Sequence, residues 1–176
     1  MKRYLDAEKA LEVVVYISHY TDNLFNIVKT LYYADKFHLE KHGRLISGET
    51  YIAMEDGPVP SGAYDLVKVA RGDERGYEKE IIDTKPGKAI RVEKISDKTF
   101  VYPLRYANSD LLSESDIECL DEAIERYATM DTNELWRIVH REAAYNDTPR
   151  DEPISLRELI YEDVPAGEDV IEYLDA

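Results

Sequence analysis

The sequence predicts an α+β fold, a mainly helical single domain with a small β-hairpin or sheet, and three observations carry that expectation. Apolar residues recur at helical spacing along most of the chain, most clearly between Asp22 and His42. One stretch, Ala89 to Leu104, instead alternates apolar and polar side chains around a Ser96-Asp97-Lys98 break. Cap-like residues open most apolar runs, and glycine closes several of them.

In chain order, Asp6 can cap a first helix that runs to about His19, with Leu11, Val14, Val15 and Ile17 as its apolar surface. A stronger helix spans Asp22 to His42, because Leu24, Ile27, Val28, Leu31 and Tyr32 recur at its spacing and Gly43 supplies a stop. Thr50 to Met54 reads as one short strand. Ser61 can cap the next helix, which carries Tyr64, Leu66, Val67 and Val69 and ends near Gly72. The polar RGDERGYEKE reads as a loop or a loosely held helix end, followed by the Ala89–Ile95 and Thr99–Leu104 hairpin. Ser113 with Asp116, Asp131 with Glu134 and Ser155 with Glu158 then mark three helix starts, and Gly167 precedes a last helix.

The stretch EDGPVPSGAYD, residues 55–65, resembles a phosphate loop only superficially. Pro58 and Pro60 carry no N–H, and no Gly-Lys-Ser/Thr follows, so the donors that would cradle a phosphate are missing. Gly57 permits an unusual backbone shape while the two prolines limit alternatives, which makes this a stiff corner between strand and helix.

A chain of 176 residues is long enough to bury a core as one domain. It contains no run of roughly 18 uncharged apolar residues, so it reads as a soluble protein without a membrane span. A single cysteine, Cys119, excludes an internal disulfide and fits a reducing cytoplasm. The net charge of −15 argues against nucleic acid as a partner, since phosphate binding needs clustered Lys and Arg. Residues 147–176 concentrate the acidity, with ten acids against Arg150 and Arg157; this acidic end would steer a basic protein partner or simply be solvated. Pro149 and Pro153 mark a joint before it, and its apolar residues, Leu156 and Leu159 among them, fit packing on self or on a partner.

The polar residues most suggestive of chemistry lie on one face of the second helix. Asp35, His38 and His42 continue the stripe of Leu24, Val28 and Leu31, so they point inward, where Asp35 and His38 could pair or hold the chain around Gly57. His38 and His42 also stand four apart, a spacing that can offer two imidazoles to a metal, with a third ligand from His140, Asp56 or Glu55. Leu39 stands where a zincin would have glutamate, and no nucleophile motif is present, so catalysis is the minority reading. Fourteen tyrosines against three phenylalanines supply many amphipathic rings. Tyr32, Tyr33, Tyr51 and Tyr64 gather near the stiff corner, as interface residues or as core.

Residues 31–67, LYYADKFHLEKHGRLISGETYIAMEDGPVPSGAYDLV, together resemble the Panacea domain, also called the SocA-like antitoxin domain, met in bacterial and phage proteins. The resemblance rests on Tyr32 or Tyr33 with Ala34 and Asp35, on Gly43, on Tyr51 with Ala53, and on Gly57 to Pro60 followed by Tyr64. A second match runs from Glu134 to Tyr145, with His140 in the family's histidine place and Tyr145 where a tryptophan is common. It covers residues 8–146 and leaves 147–176 as an acidic C-terminal helical arm, for domains of 1–146 and 147–176. It implies a type II antitoxin that neutralises a protein toxin, often encoded next door, by direct contact; the surface around the hairpin, residues 72–110, and the acidic arm are the contact candidates. The alternatives are an adaptor delivering a partner to the ClpXP protease, as at least one relative does, and a metal-dependent hydrolase centred on His38, His42 and His140. The expected partner is a protein, with no cofactor.

Overall fold

The computed structural model describes residues 5–73 and 75–160. Helix α1 (Ala7–Ser18) is deeply enclosed: Ala10, Val13, Val14, Val15 and Ile17 have no exposed surface, because consecutive valines cover more than one face of a helix and demand neighbours on several sides. Asp6 caps it, accepting the Lys9 N–H at 3.0 Å. Helix α2 (Leu24–His42) packs against it. Its cap is Asn23, which accepts the Phe25 N–H, and it stops at Gly43, whose φ of 72° is the left-handed conformation a helix end favours.

Two strands follow where one was expected. β1 (Tyr51–Met54) pairs antiparallel with β2 (Gly57–Pro60), in a register that sets Tyr51 opposite Pro60 and Ala53 opposite Pro58. The stiff corner is therefore itself a strand. Residues two apart present their backbone groups to the same side, so Pro58 and Pro60 both face away from β1 and no ladder bond is lost to the missing N–H groups. Tyr51 and Ala53 likewise present their groups to β1's other side, where residues 151–154 return: Ile154 N–H donates to Tyr51 O at 2.8 Å, and Ala53 N–H to Glu152 O at 3.0 Å.

Helix α3 (Ser61–Ala70) begins directly after β2, and the short α4 (Lys79–Asp83) starts at the end of the polar stretch that follows. The second hairpin is the expected one, β3 (Ile90–Ile95) and β4 (Lys98–Pro103), paired from Ile90 opposite Pro103 to Ile95 opposite Lys98. α5 (Glu114–Ala123) starts with a full Ser113–Asp116 capping box and runs into a wider π-type turn, Ile124–Ala128. α6 (Thr132–Val139) is capped by Asp131, α7 (Ala143–Asn146) is one turn, and α8 (Leu156–Ile160) follows the Ser155–Glu158 pair. Leu156, Leu159 and Ile160 are buried in the same core as α1 and α2. The helix expected after Gly167, and most of the acidic arm, lie outside the described residues. Among the described residues, no helix is long and apolar enough to cross a membrane.

Candidate functional site

The α2–β1–β2–α3 corner draws most of the singled-out residues together, and it does so by burying them. Asp35 is fully enclosed, and both its carboxylate oxygens accept hydrogen bonds: Ile46 N–H at 2.7 Å and the Tyr51 hydroxyl at 2.6 Å. Burial pushes its carboxyl up to about 6, against the pull of those two donors. Tyr32 lies edge-on to Tyr51 at 5.3 Å and to Tyr33 at 5.2 Å, and Tyr33 stacks on Tyr127 while donating to Glu142. Of the four tyrosines near the corner, Tyr32, Tyr33 and Tyr51 are core residues, and Tyr64 alone is half-buried, beneath the Lys68 ammonium at 4.4 Å.

Asp35 and His38 do not pair with each other. His38 donates through Nδ1 to Arg44 O at 2.8 Å, and its Nε2 accepts from the Ser115 hydroxyl at 2.9 Å, beside Asp116 at 3.3 Å. Burial lowers its basicity, which fits this neutral tautomer. His42 lies over the His38 ring at 4.6 Å but is exposed rather than inward, since the helix is ending there. Asp116 in turn receives Lys9 at 2.6 Å and Arg44 at 3.1 Å; burial opposes its charge, but Lys9 and the Ser113 cap hold its carboxyl below the usual range. The chain around Gly57 is held by neither Asp35 nor His38.

Lys29 holds it. The residue is 1% exposed, and its ammonium donates to Pro58 O at 2.8 Å, the carbonyl that the strand register turns away from β1. Burial pushes this lysine down to about 7, partly opposed by Asp56. Gly57 has φ 112°, and a Cβ there would lie 3.0 Å from Lys29 Nζ and 3.1 Å from Val139 Cγ2, so both conformation and space demand glycine. The turn before it is gripped by α6 and α7. His140 Nε2 lies 3.0 Å from Glu55 O and its Nδ1 2.7 Å from Trp136 O, Tyr145 donates to Met54 O at 2.6 Å, and the Trp136 indole donates to Asp56 at 3.3 Å. Trp136 stacks on His140 at 3.5 Å, and Tyr145 meets the same imidazole edge-on at 5.0 Å. A shallow groove of about 540 Å³ opens beside this turn, lined in part by Phe25, Asp56, Tyr64 and Trp136.

The cap of α3 is a further departure. Ser61 sits inside the first turn, Pro60 occupies the cap position, and the buried Glu49 reaches over to accept Gly62 N–H at 2.9 Å and Ala63 N–H at 2.8 Å. Burial and the nearby Asp35 push the Glu49 carboxyl up to about 8. Sequence reasoning missed Lys29 and Glu49. For Lys29 the signal was a lone cation inside the apolar run Ile27 to Tyr32; Glu49 gave none, since its partners lie thirteen and fourteen residues on.

The metal reading gains no geometry. The ring nitrogens of His38 and His140 are all engaged by protein atoms, and among the described residues no three His, Cys, Asp or Glu side chains converge as metal ligands. Cys119 is buried, and burial pushes its thiol up to about 11, away from nucleophilic use. The family model described as "Antitoxin SocA-like, Panacea domain" matches residues 27–145, from the middle of the Lys29 turn to the tyrosine that clasps the β1–β2 hairpin. No curated protein and no solved structure matches the chain.

Proposed function

The chain belongs to the antitoxin SocA-like, Panacea domain family, and on that basis we propose that it neutralises a protein toxin by binding it directly. The family match carries the reading, and the use of the motif residues supports it. Asp35, Tyr51, Gly57, Pro58 and His140 are engaged in holding α2, the first hairpin and α6 to one another, and His38 ties α2 to the loop after it and to α5, as a scaffold requires. The acidic composition suits a basic partner. The contact surface then lies outside the motif, on the less enclosed side that carries residues 72–110 and on the acidic arm. The toxin is the product of an adjacent gene. Co-expression tests this: the chain should restore growth to cells producing the neighbouring protein, and the two should co-purify. Growth arrest that persists with both proteins soluble and unassociated would overturn it.

A further inference from the structure

Among the described residues, the two most exposed tyrosines lie away from the motif, between the C-terminal turn of α1 and the segment 104–112. Tyr106 is 84% exposed and Tyr20 52%, with Leu104 at 53% and Leu111 at 39% alongside them. Tyr16, His19, Tyr20, Tyr106, Leu112 and Ile117 line a groove of about 300 Å³ there. Its rings are ordered against one another: His19 and Tyr106 stack at 4.9 Å with planes 9° apart, and Tyr16 and Tyr20 lie 5.9 Å apart.

This surface is built in place. Arg105 clasps the buried Glu12 with two bonds, of 2.6 and 2.8 Å, and Glu12 also accepts the Asn108 N–H at 2.7 Å. His19 Nε2 meets Arg105 O at 3.0 Å. The residues on both sides of Tyr106 are therefore fixed from inside the fold, while the Tyr106 ring itself is left in water. A rigid, preorganised aromatic anchor of this kind binds with little ordering cost.

The charges beside the groove select its occupant. The Tyr16 hydroxyl donates to Asp121, and Asp110 stands between the lining residues Ser109 and Leu112; neither acid has an ion-pair partner among the described residues. Tyrosine faces next to uncompensated carboxylates attract a guanidinium or ammonium group, which the rings bind through their faces and the acids through charge. A second copy of this chain would instead bring together two molecules of the same −15 net charge.

We propose that this groove, which continues the 72–110 side onto the end of α1, is part of the surface that takes the toxin, and that it holds an arginine or lysine side chain carried on an otherwise apolar segment of that partner. The inference rests on the antitoxin reading for the identity of the partner, but not for the chemistry of the groove. Two arms test it in the full chain. In the first, affinity for the neighbouring gene's product is measured for Y20A/Y106A, for Tyr106→Phe and for Asp121→Asn, each with its unfolding midpoint. Y20A/Y106A should bind at least about tenfold more weakly, Tyr106→Phe should retain affinity, and Asp121→Asn should lose most at low salt. Unchanged affinity in Y20A/Y106A and Asp121→Asn, with growth rescue intact, overturns the groove and leaves the antitoxin reading standing.

If the wild-type chain forms no complex with that product, the reading falls and the second arm judges the groove alone. An arginine–glycine repeat peptide is titrated against the labelled protein by NMR, beside its glutamate–glycine counterpart. Shifts confined to His19, Tyr20 and Tyr106 with the basic peptide, and abolished in Y20A/Y106A, support the site. Absence of those shifts, or self-association through the same residues, overturns it.

Discussion

Asp35 shows what a buried acid does in this fold. Its two oxygens bind groups from β1 and from the segment entering it, Tyr51 and Ile46, so a single side chain on α2 sets where the first hairpin begins. Its bond with Tyr51 is reversible in sense: a protonated carboxyl can donate to the hydroxyl oxygen that otherwise donates to it. That lets the folded state keep a proton up to about pH 6, whereas an unconstrained aspartate releases it near 3.8. The sign follows from linkage, because the folded form binds the proton more tightly than the unfolded chain. The contribution to stability is complete below about 3.8, falls as pH rises from there to about 6, and is absent above, a span worth about 3 kcal/mol. Chemical denaturation of wild type and Asp35→Asn across this range checks it. The difference in unfolding free energy between the two should change by about that amount between pH 4 and pH 7, in favour of wild type at the acid end. Parallel pH profiles would sink the assignment.

At the scale of elements, α3 depends on a residue that is not its neighbour. Its cap position is Pro60, which offers no side-chain acceptor, so the first-turn amides of Gly62 and Ala63 rely on Glu49. Removing that acceptor with Glu49→Ala should speed hydrogen exchange at those two amides about fivefold, the equivalent of the ~1 kcal/mol of a lost cap. The first turn of α5, capped locally by Ser113, should be unaffected, and equal protection in both proteins would show that water serves α3 as well as Glu49 does. The contrast explains what the sequence could reveal. Ser113 with Asp116, Ser155 with Glu158 and the β3–β4 hairpin are short-range devices, and each was legible because its partners stand within a few residues of one another. The same holds for the Panacea motif, whose members are closely spaced along residues 31–67. Lys29 with Pro58, Glu49 with Gly62, and Tyr145 with Met54 join positions 29, 13 and 91 residues apart, and spacing rules carry no information on such pairs. The second strand was hidden for another reason: two prolines in four residues argue against a strand unless both face away from its partner, which only the register reveals.

For the molecule as a whole, the frame is stiff at its motif and strongly charged overall. The first hairpin is clasped from four directions, by Lys29 on α2, by His140 and Tyr145 at its turn, by residues 151–154 along β1, and by the hand-over to α3. Such a frame changes little on binding, so recognition is expected to proceed as docking of preformed surfaces. Encounter is then governed by the field of the chain, and a net charge of −15 accelerates a basic partner and repels an acidic one. Because salt screens the approach of separated charges far more than contacts already made, the effect belongs to the association rate. Stopped-flow mixing with the neighbouring gene's product should therefore give an association rate that falls about tenfold or more from ~0.02 M to ~0.5 M salt, with a much smaller change in dissociation. A flat association rate would mean that the partner presents no net positive face, and would leave the acidity of this chain to solubility alone.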